Sequence, residues 1–255
     1  MNAPRMRLFL LPILLSLLGA ANPILVPDVS QRQIEIAYSF TGAELLLFGA
    51  ILYPGGRVPS QDADIVVVLR GPSESIIVRE KQKLAGLIWV NASNSQFRSA
   101  PSFYSVASSK PISQLLDERT AAIYELGLNN LHLSPASGES SEVRRRFESG
   151  FVDRQKRLDL FAEAAGRVEI REGVLYRARL KIPARVPVGI YTAETFLVKN
   201  GRVLAAATRD VEIRKSGLER FVAESARTWP FTYGLTAIFL SLLFGWAAAA
   251  LFRRF

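Results

Sequence analysis

The chain has no cysteine in its 255 residues. That excludes disulfides, thiol nucleophiles and thiolate metal sites. Histidine is almost as scarce, with His132 the only one. A serine–histidine–aspartate triad would have to use it, and no G-x-S-x-G motif accompanies it. A zinc centre built from several histidine or cysteine ligands is ruled out on the same ground. Neither a Walker motif nor a dinucleotide-binding fingerprint is present, and Gly55-Gly56 reads as a turn. Loop carboxylates clustered as calcium requires are also lacking. Asp62 with Asp64, and Asp117 with Glu118, read as ordinary solvated charges. No cofactor, no metal and no enzymatic activity are expected. Hydrolysis or group transfer by carboxylates is the catalytic alternative that these absences leave.

Charge of one sign is less abundant than the formal total of +9 implies. Setting aside Arg5, Arg7, Arg253 and Arg254 leaves 28 basic against 23 acidic residues, a balance of +5. Nucleic-acid binding is not expected from so small an excess, whereas attraction to anionic headgroups or soluble anions stays open.

What the sequence does have is a long uncharged run. Phe231 to Phe252 carries no charge, and at about 1.5 Å per residue it spans a hydrocarbon core of about 30 Å. A transmembrane helix is expected over 229–252, with 253–255 as a short tail. At the other end, Arg5 and Arg7 precede the apolar stretch Leu8 to Leu18 and the small residues Gly19, Ala20 and Ala21. This is the pattern of a signal peptide over 1–21. An uncleaved anchor is the rival, because apolar residues continue through Ile24, Leu25 and Val26, although Pro12, Asn22 and Pro23 weaken that helix. Both readings place the arginines of each end in the cytoplasm and the middle of the chain outside it. Trp229, Tyr233 and Trp246 are interface residues by type. Ser241, Gly245 and Ala249 recur every four residues, and small residues on one helical face let a partner helix approach closely. A homo-oligomer or a second membrane protein would fit that face, and a simple anchor is the alternative.

The middle reads as strands, then helices, then strands. Ile34, Ile36, Tyr38 and Phe40 alternate with polar or small residues. Glu44–Leu52 and the run Asp64–Arg70 follow, with Ser75–Arg79 expected as partner of the latter and Gly86–Asn91 as a further strand. Pro111 begins a helix expected to end at Gly127, and a second is expected from Glu142 to Ala165. After Gly166, Tyr176, Ala178, Leu180 and Ile182 face one way against Arg177, Arg179 and Lys181. Asn200-Gly201 then signals a two-residue hairpin between Ile190–Val198 and Val203–Ile213. The expectation is a mainly β, immunoglobulin-like β-sandwich over 22–214, with a helical pair inserted at about 108–166 and a linker at 215–228. Two sequential small domains are the alternative.

Two further clusters bear on binding. Trp89, Phe103 and Tyr104 are a candidate aromatic groove, with core packing as the alternative. Arg144, Arg145 and Arg146, with Arg154, Lys156 and Arg157, line one helix, but Glu142, Glu148, Asp153, Asp159 and Glu163 interleave with them, which favours a solvated face.

The leader, Gly86-Leu87-Ile88-Trp89-Val90-Asn91, the segment Pro101-Ser102-Phe103-Tyr104-Ser105-Val106-Ala107-Ser108 and the single C-terminal span resemble an uncharacterised family of transmembrane proteins from alphaproteobacteria. The resemblance covers nearly the whole mature chain and brings no catalytic residues with it. It implies an inner-membrane protein with a periplasmic domain, accompanying permeases of the sulfite or taurine exporter type. The functional expectation is a non-enzymatic interaction domain, with the resemblance implying an accessory subunit of such a permease. A periplasmic sensor or anion-binding module is the alternative.

Overall fold

The computed structural model describes residues 22–36, 41–59, 63–135, 140–215 and 217–253. The leader expected over 1–21, and Tyr38, Phe40, Asp62 and Arg254, lie outside the described residues. In chain order the strands are β1 (Ile24–Val29), β2 (Gln33–Ile36), β3 (Gly42–Leu52), β4 (Asp64–Arg70), β5 (Ser73–Leu84), β6 (Ile88–Pro101), β7 (Tyr104–Ser108), β8 (Ser134–Pro135), β9 (Phe161–Ala165), β10 (Val168–Arg171), β11 (Leu175–Pro183), β12 (Gly189–Lys199) and β13 (Arg202–Lys215). The helices are α1 (Ile112–Leu115), α2 (Glu118–Ile123), α3 (Ser141–Arg157), α4 (Gly217–Thr228) and α5 (Pro230–Phe252).

The protein is mainly β. One sheet has the order β1-β3-β11-β10 and a second the order β2-β13-β12-β4-β7-β9. Strands from both flanks of the chain meet in each, since β3 pairs with β11 and β2 with β13. Alternation decides which faces meet. Leu45, Leu47 and Ile51 of β3 and Tyr176, Ala178, Leu180 and Ile182 of β11 are buried. They share one core with Ile65, Val67 and Leu69 of β4 and Tyr191, Ala193 and Leu197 of β12. The expected division of β11 into an apolar face and an Arg/Lys face is observed.

β4 lies in the middle of the second sheet and is buried on both faces, Ile65 to Leu69 all being fully inaccessible. One face meets the first sheet. The other carries Val66 and Val68 under the segment between β7 and β10, where the helices and β9 lie. This explains why Ile65 to Leu69 is apolar at every position rather than alternating. It also explains why Ser75–Arg79 is not its partner, contrary to the sequence expectation. A strand beside β4 must be buried, and β5 carries Glu74, Arg79, Glu80, Lys81 and Lys83. The neighbours of β4 are instead β12 and β7. β5 pairs with β6 in a long hairpin that forms a three-stranded sheet with β8.

The helical expectations need two corrections. The first helix breaks into α1 and α2 because Leu116 turns extended, bridging Gly201, and the Asp117 carboxylate caps the restart by accepting from the Thr120 amide. The second helix stops at Arg157 rather than Ala165. Asp159 takes a positive φ of 58°, and the chain leaves as β9, parallel to β7. Phe161 belongs to that strand, and its ring meets Phe151 of α3 edge-on at 5.6 Å. The turn expected at Asn200-Gly201 is present, with φ of 50° and 74° at the two residues, the left-handed pair that a tight hairpin requires. The strand β1 is not expected from the sequence, where Ile24, Leu25 and Val26 enter only as the apolar continuation that an uncleaved anchor would need.

α5 is the one helix among the described residues long and apolar enough to cross a membrane, and none of it is buried. Pro230 at its start costs no hydrogen bond there, because the first amides of a helix have no intrahelical acceptor.

Candidate functional site

The three residues of the expected aromatic groove do not come together. Phe103 and Tyr104 are core residues, 1% and 0% exposed, whereas Trp89 is 63% exposed near the end of the β5–β6 hairpin. Phe103 packs against the Tyr191 ring at 5.7 Å. Tyr104 faces the helical segment, where its hydroxyl donates to the Glu125 carbonyl at 2.5 Å and accepts from the Gly127 amide at 3.1 Å. The aromatic composition of that segment marked a buried strand, not a groove.

Tyr104 belongs to a polar cluster no motif announced. Arg70, at the end of β4, pairs with Glu125 and lies 3.7 Å from Glu194 of β12. Its guanidinium also stands over the Tyr104 ring, 5.6 Å from the centroid. Glu125 holds a positive φ of 51° and places its other oxygen 3.6 Å from His132 Nδ1. Burial pushes the Glu194 carboxyl above its ordinary value, with Arg70 opposing and Glu125 adding to the rise. The arrangement pins the turn after α2 onto the outer face of β4 and β12. His132 is 66% exposed on its side chain and touches this cluster only at its edge.

One member of the basic run on α3 is tied to a neighbouring strand. Arg146 reaches across to Glu80 of β5 at 3.1 Å. No group of three or more potential metal ligands occurs among the described residues.

The apolar surface of the β domain lies elsewhere. β3 reads ELLLFGAIL over Glu44–Leu52, apolar on both faces, and only one face meets the core. Register puts Ile24 opposite Leu52, Val26 opposite Ala50, and Leu175 on the other side of Ala50. Phe48 lies between Asp28 and Arg177 in the next row of the same face. Ile24, Val26, Phe48, Leu52 and Leu175 are 40–62% exposed, so the outer face of this sheet carries a contiguous apolar patch. A shallow cavity of about 400 Å³ opens on it between Val26, Phe48 and Leu175. Charges edge the patch. Arg177 bonds Glu169 at 2.9 and 2.6 Å, and Asp28 pairs with Arg32 at 3.5 Å. The amide of Val29 lowers the Asp28 carboxyl below its usual value, with Arg32 adding to the effect. An apolar centre within a charged rim is the anatomy of a protein interface. The two-faced apolar character of β3 was the signal in the sequence, masked by being read as an ordinary buried run.

Ser241, Gly245 and Ala249 lie on one face of α5 and are exposed. The Ser241 hydroxyl donates to the Ala237 carbonyl at 2.8 Å, within its own helix, which leaves it apolar enough to lie in a bilayer. Among the described residues, a Cβ added at Gly245 would meet nothing within 4 Å beyond the backbone of its own helix.

No match was found among curated proteins or among solved structures. A family model described as "Putative transmembrane protein (Alph_Pro_TM)" matches residues 24–254, spanning the β sheets, the helical segment and α5 alike, and the chain belongs to that family of membrane proteins.

Proposed function

We propose that this is a non-enzymatic, single-pass inner-membrane protein whose β domain, an immunoglobulin-like sandwich on the periplasmic side, binds a second membrane protein. The observation that carries the reading is the uncovered apolar patch of Ile24, Val26, Phe48, Leu52 and Leu175 on the outer face of the first sheet. Monomeric soluble surfaces rarely keep such a patch without a use for it.

Several features support the remaining parts. The strand orders β1-β3-β11-β10 and β2-β13-β12-β4-β7-β9 support the immunoglobulin-like reading, β9 being an addition at the edge of the second sheet. The Tyr191 hydroxyl bonds the Pro187 carbonyl at the start of β12, as the tyrosine corner of such domains does. Arg5, Arg7, Arg253 and Arg254 favour a cleaved leader, a periplasmic domain and a cytoplasmic C-terminus. The small-residue face at Ser241, Gly245 and Ala249 suits a partner helix in the same membrane. A permease of the sulfite or taurine exporter type is the partner to test first, on the resemblance drawn from the sequence.

The test is photo-crosslinking in intact membranes from two separate positions, Phe48 and Gly245, with mass spectrometry of the adducts. Adducts from both positions to one integral membrane protein are expected. Adducts only to a second copy of this chain would replace the heteromeric partner with a homodimer, and no protein adduct at Phe48 would refute the interface.

A further inference from the structure

The β5–β6 hairpin has a base and a tip with different chemistry. At the base, Phe97 is fully buried, and Ile76 and Val78 pack against the core. The last anchor is Glu80, which accepts from Ser93 at 2.7 Å and pairs with Arg146 of α3 at 3.1 Å. The ladder then shifts register between Glu80 and Lys81, and every residue from Lys81 to Trp89 is exposed. A bulge at that point re-aims the strands as they leave the body. Beyond it, four residues of β5 carry the turn about 13 Å further out.

That projecting end combines large apolar side chains with two lysines. Leu84 opposes Ile88 on one face, while Lys83 opposes Trp89 on the other, and Leu87 stands in the turn at 85% exposure. Ala85 and Gly86 take φ of 49° and 74°, and the Leu87 amide donates to the Leu84 carbonyl at 3.1 Å, closing the turn. The only charges from Lys81 to Asn91 are Lys81 and Lys83, and no carboxylate accompanies them. The Lys83 ammonium stands over the Trp89 ring, 5.4 Å from its centroid.

We propose that this tip inserts into the headgroup zone of the anionic bilayer to which α5 anchors the chain. A protein partner would be met by one apolar face of a strand pair, whereas here Leu84, Ile88 and Leu87 make one face and the turn apolar and the other face sets Trp89 beside Lys83, a mixture of apolar, interfacial and cationic groups that an anionic headgroup layer accepts. That is suited to immersion rather than to docking. Tryptophan prefers the interfacial depth, and lysines keep their ammonium groups among anionic headgroups while their stems lie along apolar surface. A projection of about 13 Å is longer than the headgroup layer on one side of a bilayer, roughly 5–8 Å. The tip and α5 then hold the β domain at two points, which restricts its rotation about the membrane normal. This rests on the membrane anchor and is independent of the partner proposed above.

The chain has three tryptophans, so Trp229→Phe with Trp246→Phe leaves Trp89 as the only reporter. This full-length variant is reconstituted into phosphatidylethanolamine/phosphatidylglycerol vesicles whose acyl chains carry bromine just below the headgroup. Trp89 emission is expected to be blue-shifted and quenched. Adding Leu87→Asp and Ile88→Asp should return it to a water-like, unquenched emission with no change in the melting of the β domain, because both positions are exposed. Raising salt, or replacing Lys81 and Lys83 by glutamine, should reduce the quenching. Water-like emission from the intact tip would overturn the proposal. So would a photo-reactive residue at position 87 that captures a protein rather than lipid in native membranes. A protein adduct at Phe48 or Gly245 bears only on the partner reading, so the two proposals fail separately.

Discussion

The Tyr191 hydroxyl donates to the Pro187 carbonyl at 2.6 Å, tying the entry of β12 to the bend that precedes it. Tyr191 is fully buried and its ring packs against Phe103. The bond thus fixes the path from β11 to β12 at the edge of the core. Tyr191→Phe keeps the ring and orphans the carbonyl. We expect a loss of about 1–2 kcal/mol in urea unfolding of the chain in detergent, with native near-ultraviolet dichroism. An unchanged midpoint would assign the corner to packing alone.

Gly49 faces Tyr176 directly across the β3–β11 ladder. A Cβ there would lie 2.4 Å from the Val26 carbonyl oxygen and 2.6 Å from the Tyr176 hydroxyl. The first contact is backbone and cannot swing aside. Gly49→Ala should therefore destabilise by about 1–3 kcal/mol. Gly150→Ala is the control, since nothing lies within 4 Å of it in α3, and removing a mid-helix glycine should stabilise by about 0.5–1 kcal/mol. Opposite signs from the same substitution are the expected result.

The Glu194 carboxyl has a folded-state pKa raised chiefly by burial. Between the ordinary carboxylate value and this raised one, the folded state binds more protons than the unfolded. Its contribution to stability therefore falls as pH rises through that window. Glu194→Gln removes the slope and leaves Arg70 its Glu125 partner. Urea midpoints measured across the acidic range should show the variant gaining on the wild type as pH rises. Parallel curves would show that Arg70 cancels the burial cost.

The apolar patch separates binding from folding. Phe48→Asp with Leu175→Asp alters two exposed side chains, so stability should change by no more than about 0.5 kcal/mol per site. Any protein co-purified from gently solubilised membranes should be lost. Retention of the same partner would place the interface on another surface.

Much of this molecule was legible locally. The uncharged run of α5, the alternation along β11 and the left-handed pair Asn200-Gly201 are short-range patterns, and each appears where the sequence expected it. Periodicity failed where two environments met in one segment. The apolar spacing through Phe147, Phe151, Leu158 and Phe161 suited a continuing helix, yet Phe161 is buried from β9, where the tilt of its ring against Phe151 serves the same core. Either conformation buries that ring, so spacing alone does not choose.

By itself the sequence determined the membrane helix, the β character and the absence of thiol chemistry, because hydropathy, alternation and residue type belong to the chain whatever its fold. Only the tertiary structure decided that β4 lies between β12 and β7, that Phe103 and Tyr104 are core while Trp89 is not, and that Val26, Phe48 and Leu175 meet on one open face. Those outcomes depend on pairings between residues as far apart as Ala50 and Leu175. Such pairings are selected by which faces can be buried together, a property of the assembled sheets that no local pattern carries.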